Sequence, residues 1–151
     1  MSARAQSRVR PLRDGDRRDW ERLWEGYLRF YRATMDAALT GRTFARLRSQ
    51  SDGFAGLVAV DDDGRPVGLA HLVFHGSTWS ASTYCYLEDL YVDPTQRGGG
   101  VARSLFDAVY ALARERGADR VYWHTQEFNA PARSLYDRVG RLTSFVMYEG
   151  P

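Results

Sequence analysis

Residues 92–102 read Val92-Asp93-Pro94-Thr95-Gln96-Arg97-Gly98-Gly99-Gly100-Val101-Ala102, and the rest of the chain takes its meaning from these three adjacent glycines. Upstream, Tyr84 to Val92 is rich in strand-forming residues, and Asp93-Pro94 stops that strand because proline cannot donate to a ladder. Downstream, apolar residues at 101, 102, 105, 109, 112 and 113 keep a helical period to Arg116, and Gly117 closes the helix. A strand, a glycine loop and a helix N-terminus in this order point backbone N–H groups and partial positive charge at an anion. An ordinary glycine-rich turn is the plain alternative. Two common phosphate loops fit poorly. A Walker loop needs Gly-Lys-Ser/Thr, and the chain has no lysine; a dinucleotide fingerprint needs a third glycine where Arg103 stands.

The same reading extends to both ends. A short strand is expected near Val9 to Leu12, then a helix with Asp16 as its N-cap. Trp20, Leu23, Trp24, Tyr27, Leu28 and Tyr31 form one wide aromatic face of that helix. That face serves core packing, and its end, Tyr27 to Tyr31, is a candidate wall of a substrate pocket. A second helix covers Ala38 to Arg48. Strands at Gly56 to Val60 and Val67 to His75 flank the acidic turn Asp61-Asp62-Asp63-Gly64. After the glycine-loop helix, Val121-Tyr122-Trp123 begins a strand, and Asn129-Ala130-Pro131 opens a helix running to about Val139. A last strand is expected at Phe145 to Tyr148. The order β-α-α-β-β-β-α-β-α-β describes a mixed α/β sandwich.

With 151 residues, 44% of them hydrophobic and 13% aromatic, the chain fills one domain; residues 1–7 are expected to be disordered and 8–151 to form that domain. All 21 basic residues are arginine, opposed by 19 carboxylates for a net charge of +2. So balanced a charge argues against a nucleic-acid partner, which calls for an unopposed basic stripe. The lone Cys85 rules out an intramolecular disulfide and suits a reducing compartment. His71 and His75 share a strand face but stand apart, so no metal is expected. The uncharged run Pro66 to Leu87 is broken by glycines and a Ser/Thr cluster, and residues 1–10 lack an apolar signal core; a cytoplasmic protein with no membrane partner is expected.

On these motifs the chain resembles the GNAT acetyltransferase superfamily. Its acyl-CoA loop pattern, Arg/Gln-x-x-Gly-x-Gly/Ala, fits Arg97-Gly98-Gly99-Gly100-Val101-Ala102, and Asn129-x-x-Ala132-x-x-Leu135-Tyr136 resembles its second motif. Tyr86-Leu87-Glu88-Asp89, with Asn129 and Tyr136, is further similar to the diamine and polyamine acetyltransferases and the histone and polyamine group. The resemblance implies the GNAT fold, a central, mostly antiparallel sheet flanked by helices, with acetyl-CoA as cosubstrate. It implies that the backbone of Leu90, Tyr91 and Val92 meets the pantetheine arm and the amides from Arg97 to Ala102 the pyrophosphate, with Asn129 and Tyr136 also at the cofactor.

Transfer to an amine needs a neutral nucleophile. An alkyl ammonium of ordinary pKa is neutral only about 0.04% of the time at pH 7, a deficit of roughly 4.6 kcal/mol. Glu88 is the first candidate for removing the proton, directly or through a water; an arginine partner is the alternative reading for it and for Asp89. In a regular strand Asp89 points to the opposite face, so only one of the two is in position unless the strand bulges. Tyr136 is the candidate general acid for the departing thiolate. Tyr27, Tyr31, Glu88 and Asp89 are the candidate acceptor residues, with Phe30, Trp79 and Tyr84 as further aromatic walls and Asp93 and Glu25 as further acidic ones. The expected acceptor is a small cationic amine or polyamine; protein lysine, amino acids and a non-catalytic acyl-CoA-binding module stay open, and a homodimer is expected.

Overall fold

The computed structural model describes residues 8–151, so the expectation for residues 1–7 lies outside the described residues. In chain order the elements are β1 (Arg8–Pro11), a 3-10 turn (Asp14–Asp16), α1 (Arg17–Phe30), α2 (Ala37–Ser49), β2 (Phe54–Val60), β3 (Pro66–Gly76), β4 (Thr83–Val92), a second 3-10 turn (Pro94–Gln96), α3 (Val101–Glu115), β5 (Ala118–Tyr122) and α4 (Ala130–Val139). The strands lie in sequence order in one sheet, antiparallel from β1 to β4, with β5 parallel to β4.

Alternation along the strands sends side chains to two separate cores. On one face Leu57, Ala70, Leu72, Cys85, Leu87 and Val92 meet the buried stripe of α3, Val101, Leu105, Phe106 and Val109. On the other, Val58, Val60 and Leu69 meet Trp20, Leu23 and Trp24 of α1 and Phe44 and Leu47 of α2. The aromatic face of α1 packs as core, as expected. Its first half is core, and Tyr27 packs on that core's edge beside Tyr91.

β4 does not run regularly. Leu87 pairs with Leu72 but Asp89 pairs with His71, so Glu88 is the extra residue of a β-bulge. Cross-strand partners share a face. Asp89 thus sits with His71 on the α1 side, whereas unbroken alternation from Leu87 would have sent it toward α3. The bulge turns both carboxylates to the face of α1.

Two expectations are corrected. Asp16 occupies the N-cap position of α1 but makes no capping bond with its side chain: its carboxylate accepts from Arg10 at 2.7 and 2.9 Å and from the Arg13 backbone N–H at 2.8 Å, which ties the first 3-10 turn to β1. Phe145 to Tyr148 form no strand. No described element pairs with them, and they are 65–90% exposed. An apolar run becomes a strand only where a neighbour supplies a ladder, and none of the described residues does so here.

Candidate active site

The pairing of β4 with β5 ends at Tyr86 and Tyr122. Beyond that point the backbone of Leu87 to Val92 has no strand beside it on that edge, and a groove of about 550 Å³ opens there. One side is Leu90, Tyr91 and Val92, the floor is the glycine loop and the start of α3, and the far side is α4.

Conformation explains the loop composition. Gly98 and Gly100 have φ of +81° and +87°, a left-handed region that costs a side chain energy, and no atom lies within 4 Å of where a Cβ would be. Gly100 is the N-cap of α3 and contributes no side-chain cap, so the first-turn N–H groups of a 15-residue helix face the groove uncapped. Arg97 lines the groove, with its Nε donating to the Val92 carbonyl at 3.2 Å and its guanidinium 5.6 Å from the Tyr91 ring centre. It fastens the loop to the end of β4.

Across the groove, Asn129 occupies the N-cap position of α4 but makes no capping bond with its side chain. The residue borders the groove. Tyr136 lies seven residues on, packed against Phe106 and Trp123, with ring centres at 5.8 and 5.7 Å. Burial, and then the nearby Tyr31 phenol, pushes its own phenol above the ordinary value, so it stays protonated at neutral pH. Gly140 lets α4 lie against Trp123, since a Cβ there would stand 2.5 Å from the indole.

The groove brings together Leu90, Tyr91, Val92, Arg97, Gly98, Gly100, Val101, Ala102, Asn129 and Tyr136 with Tyr27 and Tyr31. Gly99 does not line it. Glu88 and Asp89 lie beside it on the α1 face, joined to it through Tyr27, whose phenol adjoins the Asp89 carboxylate. Burial first and the Asp89 charge second raise the Tyr27 phenol. Glu88 stands exposed on the crest of the bulge; partial desolvation, then the Asp89 charge, raises its carboxyl. Of the further proposed walls, Phe30 lines the groove, while Trp79, Tyr84, Asp93 and Glu25 do not. Trp79 is 89% exposed in the β3–β4 turn, and Tyr84 packs on His75 and Arg120 at the other end of β4. Asp93 is held by Arg22 at 2.8 Å and by Thr95.

Arg103 and Arg138 also line the groove and were missed from sequence. Arg103 stands where a dinucleotide fingerprint needs a glycine, and it is the third residue of the helix that follows the loop. Arg138 follows Tyr136 by two residues, and nothing in the sequence aims it inward. Gly26 was also missed. A Cβ there would lie 2.6 Å from Tyr91 Oη, so this helix position has to be small for the Tyr91 ring to pack beneath α1.

The model of the acetyltransferase (GNAT) family matches residues 16–140. The chain belongs to this family. The GNAT chain is 34% identical to the D-amino-acid N-acetyltransferase HPA3 of Saccharomyces cerevisiae over 142 residues, 93% of this chain and 88% of that one. It is 38% identical to a thialysine N-epsilon-acetyltransferase of Caenorhabditis elegans over 74 residues, 49% of this chain and 46% of the relative. Among solved structures, AAC(6')-Iy in complex with a bisubstrate analogue superposes with a TM-score of 0.82 at 18% identity, covering 97% of this chain and 99% of that one. That likeness concerns the fold alone. The protein is an acetyl-CoA-dependent N-acetyltransferase with the GNAT fold.

The residues present fit acetyl-CoA. The free β4 edge offers backbone groups to the amide-bearing arm, the open cradle of Gly98 and Gly100 leaves room at the uncapped helix for a pyrophosphate, and Arg103 and Arg138 add positive charge.

Proposed function

We propose that this GNAT enzyme acetylates a small cationic primary amine or polyamine by direct attack in a ternary complex. The observation that carries the reading is the β4 bulge, which turns Glu88 and Asp89 to one face beside Tyr27, at the edge of the acetyl-CoA groove. Two carboxylates there attract an ammonium and hold it at the open end of the β4 edge. The similarity of Tyr86-Leu87-Glu88-Asp89 to the diamine and polyamine group supports the same acceptor class. A second reading, acetylation of an amino acid, is favoured by the D-amino-acid acetyltransferase relative, which matches nearly the whole chain.

In this scheme acetyl-CoA supplies an activated acyl group on sulfur. The amides from Arg97 to Ala102, with Asn129, hold its anionic and polar parts, and the backbone of Leu90 to Val92 aligns its arm, one N–H polarising the carbonyl oxygen. Glu88 takes the proton from the ammonium, and its raised carboxyl pKa narrows the gap between base and amine. Tyr136 Oη keeps the proton that the leaving sulfur requires.

We also read residues 8–151 as one acetyltransferase domain acting in the cytoplasm on small molecules, without nucleic acid or membrane. No helix of the described residues is long and apolar enough to cross a membrane. The exposed run Phe145 to Tyr148 and the free outer edge of β5 support a homodimer in which a second copy covers them. Sedimentation of the chain and of a truncation after Gly140 tests this; a monomeric full chain overturns it.

The deciding experiment measures free-thiol release from acetyl-CoA across a panel of diamines, polyamines, D- and L-amino acids, thialysine and lysine peptides. Strongest release with diamines or polyamines is expected. Release with amino acids alone transfers the assignment to the second reading, and no amine-stimulated release from folded protein that binds CoA leaves a non-catalytic binding module.

A further inference from the structure

Behind the two carboxylates lies a buried polar relay inside an otherwise aromatic core. His71 is 2% exposed and Trp20 fully buried. The Trp20 indole N–H can only donate, and it lies 3.0 Å from His71 Nε2. His71 Nε2 must therefore be the bare, accepting nitrogen. The ring proton is left on Nδ1, which faces Asp89 Oδ2 at 2.9 Å. Trp20 and Trp24 pack on the imidazole, with ring centres at 6.0 and 5.1 Å, and hold its plane. A doubly protonated ring would set its Nε2–H against the indole N–H. The groups facing His71 are thus Trp20 and Trp24 from α1 and Asp89 from β4, with the Glu88 charge nearby.

We propose that Trp20 and His71 are positioning residues for the acceptor amine. Trp20 sets the tautomer, His71 donates from Nδ1 to one Asp89 oxygen, and the remaining lone pairs of that carboxylate are aimed at the incoming ammonium beside Glu88. The bulge is what makes this geometry available, because it pairs Asp89 with His71 across β3 and β4. This inference rests on the reading of an amine acceptor at Glu88 and Asp89. Deleting the donor costs one hydrogen bond to a charged group, which corresponds to a rise of about tenfold to a hundredfold in acceptor KM.

Two measurements test it. In 15N-labelled holo-length protein, long-range 1H–15N correlations are expected to show His71 protonated at Nδ1 and bare at Nε2, and the Trp20→Phe variant to lose that fixed pattern. A His71 proton on Nε2, or on both nitrogens, overturns the relay without any assay of activity. In kinetics, His71→Leu is expected to raise acceptor KM about tenfold or more with unchanged acetyl-CoA affinity, and His71→Asn, whose amide N–H can replace Nδ1–H, to recover much of the loss. Equal KM in wild type and His71→Leu overturns the relay while leaving the acetyltransferase reading standing. A wild type that no amine stimulates overturns that reading, and the acceptor role of the relay with it.

Discussion

Alanine substitution along Gly98-Gly99-Gly100 separates backbone strain from crowding in the cradle. At Gly98 and Gly100 a Cβ meets nothing within 4 Å, so the cost comes from the left-handed conformation, φ +81° and +87°. That is about 1–2 kcal/mol for each Gly→Ala change, or a fall in Tm of roughly 3–6 °C for a domain of this size. Gly99 is outside the left-handed region, and its Cβ would touch the Gln96 carbonyl oxygen at an ordinary 3.6 Å. Gly99→Ala should therefore stay within about 0.5 kcal/mol of wild type. Relaxation of φ at 98 or 100 also turns the amides away from the ligand, so CoA affinity should fall at least about tenfold in Gly98→Ala and Gly100→Ala. Denaturant unfolding gives the first quantity and titration calorimetry with CoA the second. A thermal scan with saturating CoA adds a check, because ligand at about 100 times Kd stabilises wild type by roughly 2.7 kcal/mol and the weakened variants by less. If Gly99→Ala is the most damaging of the three, or Gly100→Ala keeps both stability and affinity, the conformational account of the loop is wrong.

Tyr136→Phe should lower kcat about a hundredfold with acetyl-CoA affinity unchanged by equilibrium binding; equal turnover would assign the acid elsewhere. Glu88→Gln should depress kcat/KM most well below the amine pKa and least as the free amine deprotonates. In wild type the raised Glu88 carboxyl means that activity falls away, as pH drops, above the ordinary carboxylate range; superimposable pH profiles would remove Glu88 as base. Asp16→Asn should cost about 1.5–3 kcal/mol in urea unfolding through loss of the Arg10 bonds. Burial raises this carboxyl, but the bonds from Arg10 and the Arg13 backbone outweigh it and hold it below the ordinary value. Its contribution is then present above the unfolded-state pKa and lost as pH falls through the lower folded one. An Asp16→Asn variant whose deficit persists undiminished in strong acid would contradict this.

Much of the site was legible because glycine and proline constrain the backbone locally. Asp93-Pro94 ends β4, Gly98 and Gly100 take a conformation other residues resist, and Gly117, with φ +71°, closes α3 where expected. Helical spacing likewise put Asn129 and Tyr136 on one side of α4, and both line the groove. The misreadings came from partners that spacing does not reveal. Asp16 has the sequence context of a cap, but the nearby Arg10 on β1 outcompetes the α1 amides for it. Phe145 to Tyr148 has the composition of a strand but no neighbour to pair with among the described residues.

The sequence by itself determined where the chain stops, turns and starts a helix, and hence the strand, glycine loop and helix that make the cradle. Tertiary structure alone decided where Glu88 and Asp89 are placed. Alternation along an isolated strand separates them, and only the pairing of β4 with β3 reveals the extra residue that turns both to the α1 face. The same pairing, with α1 packed above it, sets His71 between Trp20 and Asp89, three residues 51 and 18 positions apart in the chain. Such contacts arise when separate elements bury a common face, and no local pattern encodes them.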